Sequence, residues 1–295
     1  MSLQTASAAR PDPAPIDIVR PARQTSAVVY ASPHSGADYD ADFVTESALD
    51  PLTLRRSEDS FVDELFAAAP RLGSPLLKAL FPRAYCDPNR EAFELDPGMF
   101  ADALPPYVNT RSARVAGGLG TIAKVVASGA EIYQRKLSFA EAKDRIDSLY
   151  RPYHAALQDL LAQTRDRFGF AILIDCHSMP SVGGPMDQDQ GHNRPDIVLG
   201  DRFGTSCDGG LTAAVEAAYT DLGYRVARNY PYAGGFTTHH YGSPATGVHA
   251  LQIEINRVVY MDESRIARGP GFQRLATDTA HVIEKIADHG LSGQV

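Results

Sequence analysis

Tryptophan is absent from this chain of 295 residues, and cysteine, clustered positive charge and long apolar runs are all scarce. The three cysteines, Cys86, Cys176 and Cys207, lie far apart and form no C-x-x-C pair, which argues against a disulfide framework and is typical of a reducing compartment. No apolar run approaches the ~20 residues of a membrane span, and the first residues lack the apolar core of a signal peptide. We therefore expect a cytoplasmic protein that has no membrane partner.

The charge balance argues against nucleic acid as a partner. The formal net charge is -8, from 28 Lys and Arg against 36 Asp and Glu, and there is no long basic run. Because binding to phosphate groups needs clustered cations, we expect no nucleic-acid partner. The composition, with 44% hydrophobic and 22% charged residues, is that of an ordinary globular protein and leaves the oligomeric state open.

Strand and helix patterns alternate along the chain after a polar start. Residues 1–24 mix prolines with small polar residues and show no periodicity, which predicts a flexible leader before a single domain over residues 25–290. Strands are predicted within 26–32, 74–81, 170–178, 196–201, 224–229 and 248–256, an extended segment within 83–91, and helices within 57–70, 138–161, 210–222 and 270–288. This order predicts an α/β sheet with helices on both faces and a site at the strand ends.

Polar residues cluster where the predicted strands end. The four stretches are "SPHSG" with His34, "DPNRE" with Asn89 and Arg90, "DCHS" with Asp175 and His177, and "LQIEINR" with Glu254 and Arg257. A catalytic zinc site needs about three N or O ligands and an open position for water, and a nearby carboxylate can act as general base. His34, His177 and one carboxylate fit the ligands, and Glu254 fits the base.

Alternative interpretations accompany these residues. A single histidine near a strand end is more often structural than a ligand, so the argument depends on the four stretches together. Glu254 lies among apolar residues, and a buried carboxylate needs a partner. The alternative to a catalytic role is a structural ion pair with Arg257 or another arginine. Asp175 points the same way as His177, so it would orient that ligand or contact substrate. Cys176 points the opposite way, and we interpret it as a buried apolar side chain.

Seven ordered motifs, which span residues 28 to about 262, resemble the N-formylglutamate amidohydrolase family. They are "SPHSG", "SEDSFVDELF", "DPNRE", "NTRS", "DCHSMPS", "RPDIVLGDRFG" and "YAGGF…HHYG…ALQIEINR". The resemblance implies a three-layer α/β/α sandwich with a mixed, mainly parallel sheet, similar to zinc carboxypeptidases and aspartoacylases, and one zinc ion per chain. Carried over motif by motif, it makes His177 the second histidine ligand, Asn89 and Arg90 the pair that handles substrate, and Glu254 the base.

The carboxylate ligand departs from the pattern of those relatives. They have it three residues after the first histidine, where this chain has Ala37. The resemblance favours Asp59 of "SEDS", while Glu58 and Asp38 remain alternatives. The acidic pair would otherwise complement the dipole at the start of the predicted helix.

The resemblance implies a zinc-dependent amidohydrolase that removes the N-formyl, or a similar small N-acyl, group of an acidic amino acid such as N-formyl-L-glutamate. Arg90 is expected to take part in catalysis with Glu254, and Asn89 and Asp175 in substrate binding. Because substrate carboxylates need fixed cations, the further candidates are Arg111, Arg257 and Arg194, although we favour a structural ion pair for Arg194. The alternatives are a carboxypeptidase- or aspartoacylase-like metallo-deacylase and a non-catalytic ligand-binding relative.

Overall fold

A seven-stranded sheet forms the centre of the protein, whose computed structural model describes residues 14–185 and 187–291. Its strands are β1 (Ile16–Val19), β2 (Val28–Ser32), β3 (Leu76–Ala79), β4 (Ala171–Met179), β5 (Ile197–Gly200), β6 (Val226–Arg228) and β7 (Val248–Asn256). The order is β1-β3-β2-β4-β7-β5-β6, in which the pairs β1–β3 and β5–β7 are antiparallel and the other four are parallel. A separate two-stranded ladder joins β8 (Met261–Asp262) to β9 (Ala267–Arg268).

The helices differ widely in length. The α-helices are α1 (Ala41–Glu46), α2 (Pro51–Leu54), α3 (Val62–Leu65), α4 (Ala113–Ala116), α5 (Phe139–Arg145), α6 (Arg151–Phe168), α7 (Gly209–Asp221), α8 (Phe236–Tyr241) and α9 (Phe272–Leu291). Short 3-10 turns occupy Arg55–Ser57, Ala69–Leu72, Pro97–Met99, Pro244–Thr246 and Arg257–Val259. In the described ranges, no helix is long and apolar enough to cross a membrane.

Helical layers cover both faces of the sheet. Side chains alternate along a strand, so Ile172 and Ile174 of β4 pack in the cluster that includes α3, α7 and α9, whereas Leu173 packs in the cluster that includes α6. All nine residues of β4 are buried, as expected for a central strand that is covered on both faces. The predicted α/β/α sandwich with a mixed, mainly parallel sheet is confirmed. Cys176 lies in the apolar core, also as predicted.

Local sequence signals explain the longest helical segment. Ser138 and Glu141 form the predicted capping box at the start of α5, and Gly169, with φ 86°, ends α6 in a left-handed conformation. A π-helical turn at Ile146–Tyr150 joins the two helices, so the predicted helix over 138–161 is interrupted and also continues to Phe168.

Three predictions about local structure are wrong. The helix predicted over 57–70 shortens to α3 and a 3-10 turn, because Phe61 adopts a left-handed φ of 68° directly before α3. Residues 83–91 form turns rather than an extended segment. The predicted leader lies partly outside the described residues, at 1–13, but Ile16–Val19 pairs with β3 as a strand, so the leader cannot extend to residue 24.

Candidate active site

A cavity of about 330 Å³ opens at the carboxyl ends of β2, β4 and β7. His34 follows β2, and the parallel register of the two central strands sets His177 of β4 directly beside Glu254 of β7. The same cavity is lined by Asp59, Asn89, Arg90 and Arg257. Residues from the four predicted stretches therefore meet at one edge of the sheet, as the strand-end pattern predicted, and Asp59 joins them from a fifth part of the sequence.

His34, Asp59 and His177 form a buried cluster with the composition of a metal site. One potential ligand atom from each lies within 4.8 Å of the other two. The Oδ2 atom of Asp59 lies 3.0 Å from Nδ1 of His177 and 3.3 Å from Nδ1 of His34. Among the residues that the structure describes, Nδ1 of His34 finds no hydrogen-bond partner although it is buried, and such an atom requires an explanation. These three residues fit a zinc ion, which prefers imidazole nitrogen and carboxylate oxygen.

The opposite ring nitrogens of both histidines contact a second set of carboxylates. Nε2 of His34 forms a hydrogen bond of 2.7 Å with Oδ1 of Asp87, whereas Nε2 of His177 lies at an ion-pair distance of 3.0 Å from Oδ2 of Asp175, without the geometry of a hydrogen bond. Metal-binding histidines usually donate their second N–H to a carboxylate or carbonyl oxygen, as the contact between His34 and Asp87 allows, which fixes the ring and makes the ligand nitrogen more basic. Both rings are therefore oriented with Nδ1 toward Asp59.

Asp87 is a further candidate residue of the site, which the sequence pattern did not single out. Besides contacting His34, it accepts hydrogen bonds from the backbone N–H of Asn89 and from Arg83, each at 2.8 Å. Burial raises the pKa of Asp87, but the neighbouring His34, Arg83 and Arg90 outweigh it and hold this pKa well below its usual range. The signal in the sequence was weak, because an aspartate before Pro88 is also typical of an ordinary turn.

Asp175 does not line the cavity and is fully buried. Its contact with His177 agrees with the interpretation that it orients a ligand, whereas its position offers no contact to a substrate in the cavity. Burial lowers the pKa of His177, but Asp175 and Asp59 outweigh burial and raise this pKa. The excess of negative charge around the two imidazoles favours a cation between them.

Of the three candidate carboxylates, the structure brings only Asp59 to the histidines. Its Oδ1 atom accepts hydrogen bonds from Arg257 at 3.1 Å and from Ser178 at 3.2 Å. Glu58 instead pairs with Arg55 at 2.8 Å, and Asp38 is exposed outside this cavity. The helix-dipole interpretation does not fit either, because α3 begins only at Val62.

Glu254 lines the cavity and is only 7% exposed. Its Oε1 atom accepts a hydrogen bond of 2.5 Å from Gln252, which in turn accepts one from the backbone N–H of Gly235. Burial raises the pKa of Glu254 to about 7, and the charge of Asp59 acts in the same direction, while His177 opposes the rise. Among the described residues, no arginine forms an ion pair with Glu254, so the structural-pair alternative fails: Arg257 pairs with Asp59 instead.

Asn89 and Arg90 reach the site from the turn that follows Asp87. Nδ2 of Asn89 lies 3.1 Å from Nε2 of His177, and its Oδ1 accepts a hydrogen bond from the backbone N–H of Thr237. Arg90 donates to the carbonyl oxygens of Leu119 and of Asn89, at 2.8 and 2.7 Å. Both side chains are therefore held by the backbone while they line the cavity.

The remaining predicted arginines lie elsewhere. Arg194 is 1% exposed and forms a bidentate ion pair with Asp189, which agrees with the structural role that we favoured. Arg111 is exposed and does not line the cavity, so its predicted contact with substrate is not supported. Arg114, three residues later, lines the cavity instead. The sequence offered no means of choosing between them, since both belong to one polar loop.

Comparison with known proteins agrees with this geometry. The model of the N-formylglutamate amidohydrolase family matches residues 26–261. This chain belongs to that family. The predicted resemblance is thereby confirmed, and the match covers every cavity residue named above.

Individual relatives are similar over most of their length. The N-formylglutamate deformylase of Pseudomonas aeruginosa is 31% identical over 70% of this chain and 71% of its own, and that of Pseudomonas putida is 28% identical over 80% and 82%. The crystal structure of the N-formylglutamate amidohydrolase from Ralstonia eutropha JMP134 superposes with a TM-score of 0.87 at 38% identity, over 95% of this chain and 99% of that one.

Proposed function

We propose that this chain hydrolyses N-formyl-L-glutamate to formate and L-glutamate, with one zinc ion held by His34, Asp59 and His177. The observation that carries the proposal is the orientation of two buried imidazoles, each with Nδ1 toward Asp59 and Nε2 toward a second carboxylate, beside a cavity that contains Glu254. The substrate is taken from the names of the relatives, which are N-formylglutamate deformylases or amidohydrolases.

A zinc ion bound to these three residues would supply Lewis acidity that polarises the amide oxygen and makes a water molecule easier to deprotonate. Glu254 accepts the proton of the attacking water and passes it to the leaving nitrogen, since its carboxylate lies in the cavity and its pKa of about 7 suits both steps. Gln252 fixes the position of this carboxylate through the 2.5 Å hydrogen bond. Arg90, beside the same cavity, supplies positive charge where negative charge develops on the substrate oxygen.

Metal content tests the ligand set. His34→Ala and His177→Ala should each purify with much less zinc per chain than the wild type, because the loss of one of three protein ligands leaves an incomplete site. Thermal unfolding shows whether each variant is folded. A folded variant that binds a full equivalent of zinc with wild-type affinity would remove that histidine from the site.

The general base is tested by Glu254→Gln. The amide has nearly the same volume as the carboxylate but cannot take up the proton of water, so kcat should fall by about 10² to 10⁴ while zinc content stays unchanged. Formate release is the assay, with N-acetyl-L-glutamate and a peptide ending in glutamate as comparison substrates for a different deacylase or a carboxypeptidase. A folded, zinc-loaded Glu254→Gln with near-normal turnover would refute the proposed mechanism.

A further inference from the structure

In the part of the chain that the structure describes, four arginines line the cavity, and they differ in which groups balance their positive charge. Arg83 donates to Asp87 at 2.8 Å, and Arg257 donates to Asp59 at 3.1 Å. Arg90 lies 3.7 Å from Asp87 and donates to two backbone carbonyls. These three side chains therefore already have an anionic partner that belongs to the protein.

Arg114 differs from the other three. It is exposed, and within residues 14–185 and 187–291 its side chain makes no hydrogen bond and no ion pair, but unlike the exposed Arg111 it lines the cavity. Its charge also acts on Arg90: burial, and after it the positive charges of Arg114 and Arg83, lower the pKa of Arg90 to about 10, while Asp87 acts in the opposite direction. The charges of Arg90 and Arg114 therefore repel each other, and an anionic ligand beside Arg114 would offset this repulsion.

The wall that carries Arg114 is otherwise apolar. Residues 114–127 contribute Leu119, Val125 and Val126 to the lining of the cavity, and the backbone N–H of Leu119 binds the carbonyl oxygen of Arg114 at 2.8 Å. A wall of apolar side chains with one unpaired cation matches a ligand that has a short aliphatic stem and a terminal carboxylate. The side chain of glutamate has this form.

The two carboxylates of N-formylglutamate make different demands on the site. The α-carboxylate is separated from the scissile nitrogen by a single carbon, so it must stay near the groups that act on the amide. Arg90 lies on that side, since its guanidinium lies 3.7 Å from Asp87, which contacts His34. The side-chain carboxylate lies two methylene groups further away and needs a cation elsewhere in the cavity.

We propose that Arg114 binds the side-chain carboxylate of the substrate and makes the site select glutamate over glutamine. This inference rests on the proposed function for the reaction itself, but it concerns a residue that takes no part in cleaving the amide. Arg114 is thus a specificity determinant, and its guanidinium offers the paired donors that a carboxylate binds.

The test compares N-formyl-L-glutamate with N-formyl-L-glutamine, which differ at the side-chain terminus alone. Arg114→Gln should lower kcat/KM for N-formyl-L-glutamate by about tenfold or more, mainly through KM, because a charge-assisted hydrogen bond is lost. The value for N-formyl-L-glutamine should change less than about twofold, and Arg114→Lys should retain part of the preference. Arg111→Gln is the matched comparison, since Arg111 is an exposed arginine of the same loop outside the cavity.

Unchanged preference in Arg114→Gln would overturn the inference, and so would a larger effect of Arg111→Gln. Equilibrium binding of L-glutamate and L-glutamine to the zinc-loaded protein separates this inference from the proposed reaction. If the wild type released no formate but bound L-glutamate more tightly than L-glutamine, and Arg114→Gln abolished that difference, the reaction would be wrong and the role of Arg114 right. If the wild type distinguished neither the two formylated substrates in the activity assay nor the two amino acids in the binding assay, the role of Arg114 would be refuted.

Discussion

We expect Asp87→Asn to weaken zinc binding, although Asp87 is not itself a candidate ligand. Its Oδ1 atom lies 2.7 Å from Nε2 of His34, and its carboxylate also accepts hydrogen bonds from the backbone of Asn89 and from Arg83. Asparagine keeps the volume and one acceptor oxygen but removes the negative charge. The imidazole of His34 then becomes a poorer donor of electrons to the metal, and Arg83 faces an amide in place of its ionic partner.

The size of the effect follows from these contacts. Loss of a carboxylate behind a metal-binding histidine typically reduces metal affinity by about 10- to 100-fold, or about 1.4–2.8 kcal/mol. Breaking a fully buried ion pair costs about 3–5 kcal/mol of folding stability, but the side chain of Arg83 is 20% exposed and water will partly solvate it. We therefore expect a folded protein that is destabilised by less than about 3 kcal/mol.

Competition with a chromogenic chelator measures the zinc dissociation constant, and urea unfolding measures stability. Asp201→Asn is the matched control, because Asp201 is also a buried carboxylate that accepts three hydrogen bonds, from Thr212, Asn229 and the backbone of Gly204, and it does not line the cavity. The control should lose stability and keep its zinc affinity. If Asp87→Asn bound zinc as tightly as the wild type, Asp87 would have no part in tuning the site through His34.

Two further predictions concern the turn that carries Asn89. Burial lowers the pKa of His154 to about 4, and its ring contacts the carbonyl oxygen of Pro88. Because the unfolded chain takes up this proton near pH 6.5 and the folded one only near pH 4, stability should fall by about 3 kcal/mol as pH falls through this interval. Urea unfolding from pH 4 to 8 should show a flatter profile for His154→Gln; an identical profile would contradict the assignment. In Gly235→Ala, the added Cβ would lie 2.5 Å from Nδ2 of Asn89, so kcat should fall by up to about 10²-fold while zinc is retained. Wild-type turnover in Gly235→Ala would show that the position of Asn89 is unimportant.

The residues on the central strands could be predicted from the sequence because a strand fixes the direction of its side chains. The run "VHALQIEIN" gives β7 with its observed bounds, Val248–Asn256, since both faces of the strand are buried and demand apolar residues. Within such a run, the alternation of side chains sets Glu254 and, on β4, His177 at defined positions. The apolar pattern therefore indicated both the strands and the two polar residues, Glu254 and His177, that interrupt the pattern and line the cavity.

The residues on loops could not be predicted in this way. Arg111 and Arg114 are alike in type and are separated by three residues, and only the tertiary position of the four-residue helix α4 turns Arg114 toward the cavity. The short α3 shows the same limitation, because the left-handed φ of Phe61 interrupts a pattern of apolar residues that would suit a longer helix. The direction of the Arg114 side chain and the length of α3 both depend on packing between distant segments, and a local sequence pattern carries no information about that packing.

His177 pairs directly with Glu254 across β4 and β7. The part of the site on these strands should therefore tolerate less sequence change than the part outside the sheet. Both strands are interior to the sheet, flanked by β2 and β5, so their hydrogen bonds should break only when the whole sheet unfolds. The spacing between the proposed metal ligand, His177, and the proposed base, Glu254, should thus persist for as long as the fold does. Helix α4, which bears Arg114, and the loop after it lie outside the sheet, and substitutions or insertions there can alter which substrate side chain is accepted while the chemistry is left intact. Sequence changes that alter the substrate among relatives should therefore accumulate in the wall formed by residues 114–127 before they reach the strands.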